Sequence, residues 1–292
     1  MLFRSDRKRS DAGWLARDLF LSVQKNHPRL APSAHLHLVE PHPSLEQKQR
    51  RTLLEAGLTK SAQWHSSWRE FPGSRTPCFF YSCELVDSFP VKILHFRDGA
   101  WREKAVGAND SGFVWQEREV DRQTLAQIQR WKPPEVEGYT MELRPRVGSW
   151  VQSWAEKIPC GMALTLDYGF PAAQLFSPTR SGGTLVAIRN HQRVQDPLLD
   201  PGELDLTAHV NFTELADLAT ARGFKNYGLT DFARGLTALA APSLKEDSNL
   251  PESWIRNFRH LTHPSFFGQS HQILVQGKSL PASLSPSILM KI

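Results

Sequence analysis

Apolar segments of strand length alternate with amphipathic helical segments, and this alternation restricts the chain to α/β folds built on a parallel sheet. From Asp11 to Lys25, Trp14, Leu15, Leu19, Phe20 and Val23 fall at helical spacing, with Asp11 placed to cap the helix and His27-Pro28 to stop it. His35 to Glu40 reads as a strand, Pro41-His42-Pro43-Ser44 turns the chain, and Leu45 to Ala56 reads as a polar helix. Cys78 to Cys83 is nearly all apolar or small, as buried parallel strands are, and it runs into Glu84.

A different pattern follows. Val91 to Phe96 and Trp101 to Val106 flank Asp98-Gly99, a pair that tolerates positive φ and so suits a two-residue hairpin. Phe113 to Val120 adds a third strand, and a helix from Gln123 ends before Pro133-Pro134. The doubly wound rhythm resumes with a helix over Gly148 to Lys157 and a strand from Met162 to Leu166 ending on Asp167-Tyr168-Gly169. After a long loop come a strand from Gly183 to Arg189, a helix from Thr213 to Arg222 capped by Gly223, and strands at Phe224 to Leu229 and His271 to Gln276, with helices over Gly235 to Ala240 and Glu252 to Phe258 between those two. The chain therefore divides into a first sheet portion over residues 1–87, an inserted hairpin and helix over 88–140, the remainder of the sheet over 141–279, and a disordered tail over 280–292.

With 292 residues, of which 40% are hydrophobic, the chain can bury a large core. Its net charge of +5 bears on solubility and encounter with anions, and gives nucleic acid only a minor place among partners. Cys78, Cys83 and Cys160 are odd in number and lack C-x-x-C spacing, which points to a reducing compartment and supports neither a disulfide framework nor a zinc ribbon. No apolar run reaches the roughly 20 residues of a spanning helix. His35-x-His37 and His260-x-x-His263 lack further ligands, so no metal site is expected. Phosphate-binding P-loop, zincin and nucleophile-elbow motifs are absent from the sequence. Trp64 and Trp68 stand at helical spacing, as core or domain-contact residues do.

Open parallel sheets bind ligands beyond the carboxyl ends of their strands, so acids there are the first candidates. Glu40 closes one strand, Glu84 and Asp87 lie just past a second, and Asp167 closes a third. Glu40 follows the first helix at about the distance, roughly 20 residues beyond a glycine loop, where such sheets place an acid on ribose hydroxyls; the same position also suits a plain exposed acid. Asp205, Thr207, His209 and Asn211 alternate with apolar residues and would share one face if extended. An Asp/His pair among them could accept a proton, or the histidine could simply tie down a loop.

Five segments in this order carry a resemblance: Leu38 to Leu45 (LVEPHPSL), Glu84 to Val91 (ELVDSFPV), Leu166 to Gly169 (LDYG), Gly183 to Leu185 (GTL) and Pro201 to Phe212 (PGELDLTAHVNF). The chain resembles the MidA-like S-adenosylmethionine (AdoMet) dependent methyltransferases of bacteria and mitochondria, from about Ala12 to Gly277. That resemblance implies a class I, Rossmann-like methyltransferase sheet of seven strands with its last strand antiparallel, plus a substrate-binding portion. It implies AdoMet as cofactor and methylation of a protein side chain, arginine in the mitochondrial member, which serves complex I assembly. A non-catalytic, partner-binding descendant of the fold is the alternative. It also implies a bacterial cytoplasmic location or, alternatively, the mitochondrial matrix.

By the same resemblance, Gly13, Glu40 and Glu84 would hold the cofactor, and Glu84, Asp87, Asp167 and His209 would form the catalytic group. Tyr168, Asp205, Thr207 and Asn211 would line the acceptor site. The family carries an acid and a G-x-G-x-G loop after its first strand. Here Gly13 falls on the last glycine, Arg9 and Asp11 on the first two, and Arg7 on the acid. Residues 1–10 are too charged to supply that central first strand. Truncation of the first strand and upstream region, together with side chains where the backbone must approach the cofactor, predicts that the chain binds AdoMet poorly or not at all and is inactive if it does not bind.

Overall fold

The computed structural model describes residues 12–110, 112–190, 192–246, 250–268 and 270–281. Arg7, Arg9, the expected cap Asp11 and nearly all of the expected tail lie outside the described residues. In chain order the elements are α1 (Trp14–Asn26), β1 (Leu36–Val39), α2 (Pro43–Glu55), β2 (Ala62–His65), β3 (Cys78–Cys83), β4 (Lys92–Arg97), β5 (Ala100–Asn109), β6 (Gly112–Glu119), α3 (Arg122–Trp131), β7 (Thr140–Leu143), α4 (Val147–Ala155), β8 (Gly161–Phe170), α5 (Ala172–Leu175), β9 (Val186–Arg189), β10 (Gln192–Val194), β11 (Asp205–Thr207), β12 (Val210–Asn211), α6 (Phe212–Thr220), β13 (Lys225–Asp231), α7 (Phe232–Glu246), α8 (Glu252–Thr262) and β14 (His271–Lys278). They fall into two compact units, one of residues 1–85, 151–167 and 218–292, the other of residues 86–150 and 168–217.

In the first unit β3 pairs in parallel with β8, register Cys78 to Gly161 through Cys83 to Leu166. β14 lies next to β8 and pairs antiparallel with β13. β1 and β2 pair in parallel as a separate two-stranded sheet, and among the described residues no strand links β1 to β3. That gap is where the resemblance puts the central first strand. Ala16 and Phe20 of α1, Leu36 and Leu38 of β1, Leu53 of α2 and Tyr81 of β3 form one buried cluster. On α4, Trp154 stacks on Phe80 at 4.3 Å and meets Phe224 edge-on at 5.2 Å. Truncating so large a buried ring costs about 3–5 kcal/mol.

β2 departs from the sequence expectation. Trp64 stands on this strand rather than on a helix with Trp68, and its indole N–H donates to Gln49 Oε1 at 3.1 Å. Four residues, one of them an exposed glutamine, carry too little pattern to show a strand; the pairing partner β1 supplies what local propensity does not.

The second unit is built on the antiparallel sheet β6-β5-β4-β7. The hairpin between β4 and β5 turns on Asp98 and Gly99, both at positive φ (51° and 73°), as a type I′ turn requires. α3 starts where Asp121 accepts the Thr124 N–H at 2.7 Å, and it packs Ile128 with Leu94, Trp101, Tyr139 and Met141. A smaller sheet, β10-β9-β11, completes the unit. The end of β8 also belongs to it, Gly169 facing Val210 of β12. Gly169 has φ 154°, and a Cβ there would run into the Val210 carbonyl, so this close pairing needs glycine.

Candidate functional site

Glu40 follows β1 directly and is only 2% exposed, so it is not the surface acid that its position equally allowed. Its Oε1 accepts the His42 N–H at 3.0 Å and its Oε2 accepts from Gln49 Nε2 at 3.1 Å. Pro43 at the first turn of α2 sets the turn that brings both donors round, and Trp64 holds the far end of Gln49. A buried carboxylate with a donor on each oxygen is fixed in orientation, and two oxygens in a fixed orientation suit a vicinal diol. Gly13, immediately before α1, has φ 79°, and a Cβ there would lie 3.3 Å from the Gln49 Cα. Gly13, Gln49 and Glu40 thus meet through Gln49. An orienting carboxylate beside a left-handed glycine at a helix start fits the ribose end of AdoMet.

In the same unit Glu84 follows β3, with φ 45°, a region non-glycine residues seldom occupy. Its N–H donates to the Leu166 carbonyl at 2.9 Å, and Asp167 Oδ2 accepts the Leu85 N–H at 3.2 Å. Asp167 is fully buried, so its carboxylate shapes the turn after β3. It lies inside β8 rather than at its end, because the strand continues to Phe170.

The second unit gathers the other candidates. Thr207 donates its hydroxyl to Asp87 Oδ2 at 2.7 Å. Arg144, buried after β7, donates to the carbonyls of Val86 (3.0 Å), Asp87 (3.4 Å), His209 (2.6 Å) and Ala208. One guanidinium therefore joins the segment after Leu85 to the segment around His209, its planar fork adding a donor to carbonyls of which Val86 also accepts the Phe89 N–H and Asp87 the Ala208 N–H. Glu142 accepts the N–H groups of Thr184 and Leu185 and the Thr184 hydroxyl, and Thr184 Oγ1 accepts the His209 N–H at 3.0 Å.

The run Asp205 to Asn211 is not one extended face. β11 pairs with β9 and β12 with β8, so the chain changes partner at Ala208-His209. His209 forms no pair with Asp205: its Nδ1 is buried and unpartnered, and Phe170 meets its ring edge-on at 5.3 Å. Burial, with Arg180, Arg144 and Arg193 nearby, lowers its pKa to about 4, so the ring is neutral at pH 7. Asn211 Oδ1 accepts the Glu214 N–H at 3.2 Å and so caps α6. Tyr168 is half-buried on β8. Motif reading missed Gln49, Glu142, Arg144 and His271; the last three bond to residues 42 or more positions away, and charged residues inside the apolar stretch Met141 to Leu143 and just after it are the only local signal.

The architecture is that of class I AdoMet methyltransferases. A protein from Burkholderia thailandensis described as a "likely methyl transferase", crystallised with S-adenosyl-homocysteine, superposes with a TM-score of 0.82 at 23% identity, over 97% of this chain and 72% of that one. A native crystal structure from the same organism gives 0.81 at 22%, over 98% and 75%. The family described as "Putative S-adenosyl-L-methionine-dependent methyltransferase" matches residues 11–230, and the chain belongs to that MidA-like family. Curated relatives include the mitochondrial protein arginine methyltransferase NDUFAF7 homolog of Drosophila melanogaster, 27% identical over 72% of this chain and 51% of its own length. The mitochondrial protein arginine methyltransferase NDUFAF7 of Danio rerio is 26% identical over 81% and 60%. The chain thus spans about half to three fifths of these relatives. No helix among the described residues is long and apolar enough to cross a membrane.

Proposed function

We propose that this protein transfers a methyl group from AdoMet to a nitrogen of a protein side chain, arginine being the acceptor that the names of its curated relatives support. The observation that carries the proposal is the fixed carboxylate of Glu40 behind β1, with Gly13 packed against the same Gln49. AdoMet supplies the methyl group on a sulfonium centre. Glu40 holds the ribose hydroxyls, Gly13 lets the backbone pass close, and Glu84 faces the cationic end.

Asp87, steadied by Thr207, accepts guanidinium N–H bonds and orients the acceptor, with Tyr168 and Asp205 lining its approach. His209, held neutral by burial and by Arg180, Arg144 and Arg193, offers an uncharged ring for hydrogen bonding to the acceptor rather than a base for its proton. Asp167 and Asn211 act by position, one on the turn after β3, the other on the start of α6. Of the two compartments the resemblance implies, the curated relatives support the mitochondrial one, and complex I assembly is the context their likeness suggests.

Incubation with methyl-labelled AdoMet and matched peptides bearing arginine, lysine or neither tests the reading. Label on arginine, lost in Asp87→Asn, is the expected result. Label on lysine, or equal label on all three peptides, would overturn the acceptor assignment.

A further inference from the structure

His271, the first residue of β14, is 1% exposed and lies 187 positions from Glu84, yet its Nε2 stands 3.0 Å from Glu84 Oε1. On the other side of the ring, Nδ1 stands 3.0 Å from the Ser270 hydroxyl. A carboxylate can only accept, so Nε2 carries a proton and donates it, while Nδ1 meets the Ser270 hydroxyl. Both ring nitrogens are engaged, which fixes the ring's orientation. The Phe232 ring lies 6.3 Å away and closes one side.

The residue being held is the one in the left-handed conformation, φ 45°, at the turn after β3. A non-glycine residue persists there only where its surroundings over-determine it, and such residues cluster where a side chain must be aimed. His271 takes one oxygen of Glu84. Oε2 makes no hydrogen bond among the described residues, and the side chain keeps 21% exposure. One oxygen is anchored and the other is presented.

We infer that His271, backed by Ser270, is a positioning residue that holds Oε1 of Glu84 so that Oε2 receives a cationic N–H group of the bound reactants. Two sources carry that chemistry, the ammonium of the cofactor's methionine portion and the guanidinium of the acceptor. The inference rests on the assignment of Glu84 to the methyl-transfer site.

The test compares wild type, His271→Ala, His271→Gln, Glu84→Ala and the double variant E84A/H271A, with circular dichroism confirming that each is folded. Nitrogen-15 spectra of the free protein report the ring: an Nε2–H tautomer whose proton exchanges faster in E84A is expected. An Nδ1–H tautomer in wild type overturns the inference whether or not the protein binds anything.

Calorimetric titration with S-adenosylhomocysteine, and the KM for an arginine-containing peptide, then separate the sources. H271A is expected to weaken one of the two by about tenfold, H271Q to restore it because its amide N–H reaches the same oxygen, and H271A to add nothing in the E84A background. Loss of S-adenosylhomocysteine affinity identifies the ammonium, and a raised peptide KM alone identifies the guanidinium. If E84A weakens binding and H271A does not, the inference fails and the functional reading stands; if E84A changes neither quantity, the placement of Glu84 itself is wrong.

Discussion

Thr207 and Asp87, 120 positions apart, are joined by a 2.7 Å hydrogen bond in which the threonine hydroxyl donates to the carboxylate. The bond links the Glu84 to Val91 segment to the Pro201 to Phe212 segment, two of the five motifs that carry the resemblance. Thr207→Val keeps the shape and removes the donor, leaving Oδ2 of a carboxylate that is only 9% exposed without it. The expected cost is about 1–3 kcal/mol by urea denaturation, and Thr207→Ser should recover most of it.

Arg144 is expected to be more costly to alter. Arg144→Met removes a donor from four carbonyls, of which Val86 keeps the Phe89 N–H and Asp87 the Ala208 N–H, so the cost falls on Ala208 and His209 and is expected to be about 2–5 kcal/mol in chemical denaturation. Arg144→Lys keeps the charge but not the fork, and should recover less than half of that loss.

Two partly buried groups should make stability depend on pH in opposite directions. The pKa of His209 is lowered to about 4, chiefly by burial, from an ordinary value of 6.5. The unfolded chain therefore takes up its proton first, and stability falls as pH drops from about 6.5 to about 4. Glu214 is raised to about 7, burial outweighing Arg130 and Arg144. The folded chain holds that proton more tightly, so stability is lost as pH rises from 4.5 through about 7. His209→Gln should flatten the acid side of the denaturation profile. Glu214→Gln should stabilise the protein by about 1 kcal/mol or more at pH 8 and by little at pH 4.

The left-handed turn at Glu84 sets strain against a buried hydrogen bond. Glu84→Gly relieves a conformation that costs a side-chain-bearing residue about 1–2 kcal/mol but takes the acceptor from the buried His271 Nε2–H, which costs about 1–3 kcal/mol, so its thermal midpoint should hold or fall slightly while S-adenosylhomocysteine affinity or peptide turnover falls. A glycine variant that keeps both would remove Glu84 from the site.

What the sequence made legible was local. Periodicity placed α1, β1, α2, β3 and the hairpin, and Asp98-Gly99 announced the turn that both residues make. Acids beyond strands marked Glu40 and Glu84. Hidden were features made by pairing at a distance: β2, whose few residues form a strand only beside β1; the separation of the Asp205 to Asn211 run between two partners; and Gln49, Arg144 and His271. His209 was visible as a candidate, but its surroundings were not. Period-two spacing suggested an aspartate partner, whereas the fold surrounds it with arginines.

Calorimetric titration with S-adenosylhomocysteine, of the wild-type chain, Glu40→Gln and the double variant R9G/D11G, tests the cofactor assignment most directly. Weak saturable binding by the wild type is expected, lost in E40Q and tightened by about tenfold or more where glycines replace the side chains at the loop positions. No saturable binding by either the wild type or the glycine variant, or equal binding by E40Q, would contradict it.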